Sequence, residues 1–270
     1  MITEVTITNC PELESIDIST FVNNQRLVLN GLSNLVSLSC DSNKLTELEI
    51  NSSFPKLRSL VCSRNELVSL DLGNFNKLET VEARDNFLQE IKFSPSSLIR
   101  QLSLTNNNFP EQDLSIFKDL TNLELLKIAN KYSPNSYYML TNDEKMKKEK
   151  GIYNRFVGSL QLLKDLTNLE YLDISNTDIS SGLEYLPSDI KFIYGIDKKN
   201  WSNSKVKKIS KELELYQGSV KDWQEDFKEK QLHDEGLLDL DFSDEESSIQ
   251  AQIEQSTSYS ASKIEIPPKK

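Results

Sequence analysis

Histidine occurs once in 270 residues, as His233, too little for an imidazole metal site or a histidine-based acid–base pair. Cysteine occurs three times, at Cys10, Cys40 and Cys62, an odd and small number for a disulfide framework. Glycine and proline number eight each, which excludes collagen-like and glycine-rich architectures. A Gly-x-Gly-x-x-Gly phosphate loop is missing too. No stretch approaches the roughly 18 apolar residues that span a bilayer, so no membrane span is expected. Met1-Ile2-Thr3-Glu4-Val5-Thr6 lacks the basic and apolar regions of a secretory signal, and a soluble cytoplasmic chain is the expectation. Positive charge is in deficit: 31 Lys and Arg stand against 42 Asp and Glu, a net charge of −11. That disfavours nucleic acid as a partner, because phosphate binding needs cations that displace counterions. Carboxylates are plentiful, but no spacing pairs two of them for acid–base work. No catalytic residue, cofactor or metal is expected, and the chain reads as a non-enzyme.

What the chain has in excess is leucine, 38 residues, and asparagine, 23. They are ordered. Leu35-x-x-Leu38-x-Cys40-x-x-Asn43-x-Leu45 recurs as Leu57-x-x-Leu60-x-Cys62-x-x-Asn65-x-Leu67. It returns as Leu78-x-x-Val81-x-Ala83-x-x-Asn86-x-Leu88 and as Ile99-x-x-Leu102-x-Leu104-x-x-Asn107-x-Phe109. Successive units start 22, 21 and 21 residues apart. Degenerate units extend the series. Upstream, Leu13, Ile16 and Ile18 hold the strand positions, with Phe21 where asparagine is expected. Downstream, Leu123-Leu126-Ile128 and Leu169-Leu172-Ile174 repeat at an offset of 46, and Ile190-x-x-Ile193 closes the period.

This pattern resembles the leucine-rich repeat, L-x-x-L-x-L-x-x-N/C-x-L, over residues 1–196, and is similar to that of uncharacterised fungal intracellular leucine-rich-repeat proteins. The resemblance implies an α/β fold: a right-handed solenoid, or horseshoe, of about eight rungs with a parallel β-sheet on its concave side. The physical reading agrees. Alternate residues such as Leu38 and Cys40 point inward from a short strand, and no single turn of chain can bury its own leucines, so turns stack and share one core. The asparagine amide carries donors and an acceptor for backbone groups at the bend after each strand. Cys40 and Cys62 are then buried small hydrophobes, and the phase of Cys10, three residues before Leu13, predicts burial as well.

On the convex side, Leu45-Leu48-Ile50 and Leu67-Leu70-Leu72 predict extended chain in the first half. The spacing within 110–120 and 158–166 predicts short helices or 3₁₀ turns in the second. The period fails over about 131–158, which reads either as an inserted loop or as a degenerate repeat.

From Val206 the spacing becomes heptad: Val206, Ile209, Leu213, Tyr216, Val220, Trp223, Phe227. That predicts a helix over 204–231, within a C-terminal segment 197–233, which either caps the solenoid or self-associates as a coiled coil; Gly218 weakens the second reading. Residues 234–270 read as a disordered acidic tail, with eight acidic and no basic residues over 234–254. Within it Leu237-Leu238-Asp239-Leu240-Asp241 resembles a clathrin-box peptide, which implies a trafficking adaptor as one alternative function.

With no catalytic constellation, what remains is a surface. Residues flanking the inward pair face the concave side, small and polar in the first rungs, aromatic and charged in the last. Arg84, Lys127, Tyr171, Asp173, Phe192 and Tyr194 are the candidate protein-binding residues, because aromatics and arginine are enriched in hot spots. The alternative is a merely solvated face. The expected function is a protein-interaction scaffold with a protein partner. The tract 166–177 also looks like that of repeat proteins that regulate phosphatases or recognise substrates for ubiquitin ligases.

Overall fold

The computed structural model describes residues 3–20, 24–49, 54–130, 151–195, 205–215 and 219–234. The chain divides into two units, Met1–Gln224 and Glu225–Lys270, and the architecture that follows belongs to the first. Alternating inward and outward residues produce fifteen short strands among the described residues: β1 (Glu4–Thr8), β2 (Ser15–Asp17), β3 (Arg26–Asn30), β4 (Ser37–Ser39), β5 (Glu47–Glu49), β6 (Ser59–Val61), β7 (Ser69–Leu72), β8 (Thr80–Glu82), β9 (Glu90–Phe93), β10 (Gln101–Ser103), β11 (Leu125–Lys127), β12 (Val157–Ser159), β13 (Tyr171–Asp173), β14 (Asp178–Ser181) and β15 (Phe192–Tyr194).

The repeat places one strand per rung in an eight-stranded parallel sheet of order β15-β13-β11-β10-β8-β6-β4-β2. The register is strict: Leu38 lies opposite Leu60, Leu60 opposite Val81, Val81 opposite Leu102, Leu102 opposite Leu126 and Leu126 opposite Leu172. Those central residues point inward and are fully buried. Burying each aliphatic side chain contributes roughly 1.5–3 kcal/mol, and the contribution requires a neighbouring rung to supply the other wall. The first rung shows the converse. Leu13 remains 38% exposed, and Cys10 is only half-buried, with its Sγ against the Thr8 carbonyl. The predicted burial of Cys10 is therefore corrected: its phase matches Phe54 and Phe75, but those sit between two rungs.

Opposite this sheet the chain is extended in the first half, as the alternation predicts, with β1-β3-β5 and β7-β9 as small parallel sheets. In the second half it turns into 3₁₀ helices at Leu114–Phe117, Leu160–Leu163 and Leu183–Tyr185. Two of these start at side-chain caps: Asp113 accepts the Ser115 N–H, and Ser159 accepts the Gln161 N–H. Phe109, Phe117 and Phe156 fill the space between them, with ring centroids 5.3 Å and 5.5 Å apart.

The repeat asparagines form the ladder that closes each bend. The Asn65 amide donates to the Cys40 carbonyl of the preceding rung and to its own Cys62 carbonyl, and its oxygen accepts the Leu45 N–H. Asn86 and Asn107 repeat the same three bonds one and two rungs on. The bend is sharp because the residue before each asparagine is left-handed: Ser42, Arg64, Asp85 and Asn106 have φ between 52° and 57°.

The ladder also resolves the gap in the period. Asn154 donates to Leu104 and Ile128 carbonyls, the role that residue 131 would take three positions after Ile128. Asn154-x-Phe156 thus takes the bend position of the rung that Leu123-x-x-Leu126-x-Ile128 begins. Asn130 and Asn154 clasp the two ends: Asn130 donates to the Asn154 carbonyl, and the Asn154 N–H returns to the Asn130 side chain, both at 2.9 Å. One rung later Thr177 stands in the asparagine position, and its hydroxyl donates to Ile174.

After the last rung the chain forms two helices, Lys207–Glu214 and Val220–Asp234, where the heptad spacing predicts one over 204–231. The second starts at Ser219, whose hydroxyl accepts the Asp222 N–H. Val206, Ile209, Leu213, Val220 and Trp223 are buried within the single chain. Polar bonds accompany them: the Val206 N–H reaches the Thr177 carbonyl, Ser210 donates to the Gly195 carbonyl, and the Gln224 amide donates to Leu183 and Leu186 carbonyls. No helix among the described residues is long and apolar enough to cross a membrane.

Candidate functional site

The C-terminal strands of the eight-stranded sheet bring together residues that are far apart in sequence. Tyr171 and Tyr194 lie on β13 and β15 and meet with ring centroids 5.3 Å apart; Tyr171 and Phe192 meet at 5.7 Å. From β11, the Lys127 ammonium sits 5.3 Å from the centre of the Tyr171 ring, within cation–π range. The register sets this up directly, with Leu125 opposite Tyr171 and Tyr171 opposite Phe192. Leu125, the first residue of β11, therefore continues the apolar strip across that strand. Phe192 is 54% exposed, the most open large hydrophobic of the strip.

Electrostatics fix the protonation of the centre of this patch. Desolvation, then the side-chain hydrogen bond with Tyr194, then nearby negative charge including Asp173 push the Tyr171 phenol up to about 12. It stays a neutral hydroxyl at physiological pH.

Two of the predicted residues stand apart. Asp173 belongs to β13 but is fully buried, between Lys127 and Tyr194 in register, and its Oδ1 accepts both the N–H and the hydroxyl of Ser175. Its role on this face is to brace the strand end, not to offer a carboxylate at the surface. Arg84 is exposed, but it follows β8, three strands from β13, roughly 14 Å away at the ordinary strand spacing. The burial of Asp173 departs from the outward phase that the alternation gives it, whereas Arg84 keeps that phase but lies apart from the aromatic residues. Lys127, Tyr171, Phe192 and Tyr194 form one patch. The tail residues Leu237, Leu238, Leu240 and Asp241 lie outside the described residues, and the side chain of His233 does as well.

The other chemistry-bearing groups are absorbed by the fold. Burial, with Asp41 nearby, pushes the Cys40 thiol up to about 12, and burial pushes Cys62 well above the usual thiol range. Neither is a thiolate at neutral pH. A polar groove where the chain enters β8, β10 and β11 is lined by Glu79, Leu98, Arg100, Asn122, Glu124 and Asn168. Its polar groups already pair with one another or with backbone: Arg100 with Glu124, Glu79 with Arg58, Asn122 with the Ser97 carbonyl and Asn168 with the Thr121 carbonyl.

No protein-family description and no curated protein matches the chain. Solved structures with a related chain path include an internalin (inlF) from Listeria monocytogenes, 16% identical with a TM-score of 0.40, where the alignment covers 71% of this chain and 63% of the internalin. The plant peptide hormone receptor RGFR1 in complex with RGF2 is 18% identical with a TM-score of 0.40, covering 72% and 38%. The functional domain of InlJ from Listeria monocytogenes is 18% identical with a TM-score of 0.39, covering 72% and 48%. The chain thus spans less than two thirds of the length of each, and no sequence match singles out a fungal group. The architecture is a leucine-rich-repeat solenoid with a parallel sheet on one side.

Proposed function

We propose that this chain is a non-catalytic protein-interaction scaffold that holds a protein partner against the C-terminal half of its eight-stranded sheet. One observation carries the reading: Tyr171, Phe192 and Tyr194 cluster on the outer face of the sheet with Phe192 54% exposed and Lys127 beside them. Large aromatic side chains held by a rigid sheet present much contact area at little entropic cost, which is what binding hot spots use. Eight strands at ~4.8 Å spacing give a platform roughly 34 Å long, enough for a partner to run N-terminally from the patch over the serine-rich rungs. The compartment we favour is a reducing one such as the cytoplasm, supported by three free thiols at Cys10, Cys40 and Cys62.

The deciding experiment compares proteins co-purified with the wild-type chain and with a Tyr171→Ala, Phe192→Ala, Tyr194→Ala variant, by quantitative mass spectrometry. Loss of specific partners with an unchanged circular dichroism spectrum supports the reading. Undiminished recovery removes the patch from consideration.

A further inference from the structure

We propose that the partner engages this patch through an extended acidic–apolar segment, in which a carboxylate pairs with Lys127 beside an aliphatic or aromatic side chain packed on Tyr171, Phe192 and Tyr194. This rests on the reading that the patch binds protein, and it specifies the chemistry of what binds there.

Arg26, Arg58, Arg64, Lys92, Arg100 and Lys191 each form an ion pair with a carboxylate on an adjacent rung: Glu4, Glu79, Asp41, Asp71, Glu124 and Glu170. Lys127, like Lys44, Lys77, Arg84, Lys118 and Lys164, makes no ion pair among the described residues, and its ammonium lies over the Tyr171 ring, which fixes it at the aromatic patch. It is also half-buried, so its charge is less screened than those of the exposed pairs. Asp173 lies opposite it in register but turns Oδ1 to Ser175 and is buried. The ammonium donors that the ring leaves over therefore favour an incoming carboxylate, and the ring beneath holds the ammonium in place.

The neighbouring surface decides the rest of the motif. Leu125, Tyr171 and Phe192 run across three adjacent strands, with Tyr194 beside Phe192. A segment laid across the strands in extended form projects alternate side chains about 6.6 Å apart, between one and two strand spacings. Its carboxylate over Lys127 then puts the residue two positions on over the β13–β15 aromatics. A basic segment fits less well, because it would bring a second cation onto the ring that Lys127 already occupies.

The test uses the full chain and a displayed library of random dodecapeptides. Recovered peptides are synthesised and titrated by fluorescence anisotropy against wild type, Lys127→Glu, Lys127→Met and the triple alanine variant. The expected result is enrichment of Asp or Glu within two residues of Leu, Phe or Trp. Binding weakens about tenfold on either Lys127 variant, and replacing the peptide's acid by lysine restores it on Lys127→Glu alone. The charge exchange is preferred to a salt series, since the whole chain carries −11 and salt would relax that general repulsion at the same time. Peptides that need the three aromatics but carry no acid, or are indifferent to both Lys127 variants, overturn the acidic assignment and leave the patch standing. Peptides held equally well by the triple alanine variant overturn the patch itself. A library that yields no binder overturns the proposal that the partner presents a linear segment.

Discussion

An asparagine amide placed at each bend donates to two carbonyls, which it shares with its neighbours in the ladder, and accepts one N–H, so the cost of losing it depends on how many of those bonds it makes. Asn65 makes all three, at 2.9–3.1 Å. Replacing it by alanine removes all three bonds and leaves the buried Leu45 N–H unpaired, while the Cys40 and Cys62 carbonyls keep the amides of Asn43 and Asn86; a loss of about 2 kcal/mol is expected in urea denaturation. Asn43 donates to Ile18 and Cys40 carbonyls, but its own oxygen has no partner among the described residues. Asn43→Ala should therefore cost clearly less than Asn65→Ala; equal losses would mean that the ladder does not act bond by bond. The thiols give a second check. Because Cys40 and Cys62 are buried and held protonated while Cys10 is half-buried, a thiol reagent at pH 8 should modify Cys10 alone in the native chain, and all three in urea. For Tyr171, a phenol raised to about 12 in the folded state binds its proton through a pH range in which the unfolded phenol has lost it. Its contribution to stability is therefore complete below about pH 10 and is lost as the pH rises toward 12. Absorbance titration should show a late-titrating tyrosine that Tyr171→Phe removes. At this scale the sequence was most informative where residues are periodic and least where rungs meet. The alternation put Asp173 on the outer face, but its burial comes from Lys127 and Tyr194 on neighbouring strands, which are 46 and 21 residues away along the chain.

At the scale of elements, the two features the period did not explain have different causes. The failure of the repeat after Asn130 was legible only as an ambiguity, because an offset of 46 fits a lost rung as well as an insertion. The bonds of Asn154 to Leu104 and Ile128 put it in the ladder position after Ile128, and the echo of Asn107-x-Phe109 in Asn154-x-Phe156 was the signal that could have found it. The heptad stripe was legible as a stripe, but spacing does not say which surface it meets. Ile209 is fully buried within the chain, so Ile209→Ala should destabilise the solenoid by about 3 kcal/mol in urea. Burial of the stripe in one copy also leads us to expect a monomer by light scattering at micromolar concentration. A dimer that Ile209→Ala dissociates without loss of stability would overturn the capping role.

The whole first unit is a linear stack, and its stability follows from that. A rung in the middle has walls on both sides, whereas β2 and its rung have one, as the exposure of Leu13 and the partial burial of Cys10 record. Amide hydrogen exchange should therefore be slowest in β6, β8 and β10 and faster in β2, which lies at the sheet's edge. Uniform protection from β2 to β10 would indicate all-or-none cooperativity in place of neighbour-by-neighbour stacking. On the opposite flank, Gln224 donates to Leu183 and Leu186 carbonyls, so the end of the stack that carries Tyr171, Phe192 and Tyr194 is the braced one.

The ladder bonds also have a direction. Asn43, Asn65, Asn86, Asn107 and Asn154 each reach back to a carbonyl of the turn made before their own, at Ile18, Cys40, Cys62, Ala83 and Leu104. A nascent chain leaving the ribosome from its amino end thus meets, at every step, a template that is already assembled. We expect growth by accretion onto that surface, so a circularly permuted chain that synthesises the later turns first should refold more slowly in stopped-flow fluorescence; equal rates would mean that the stack can start from any turn.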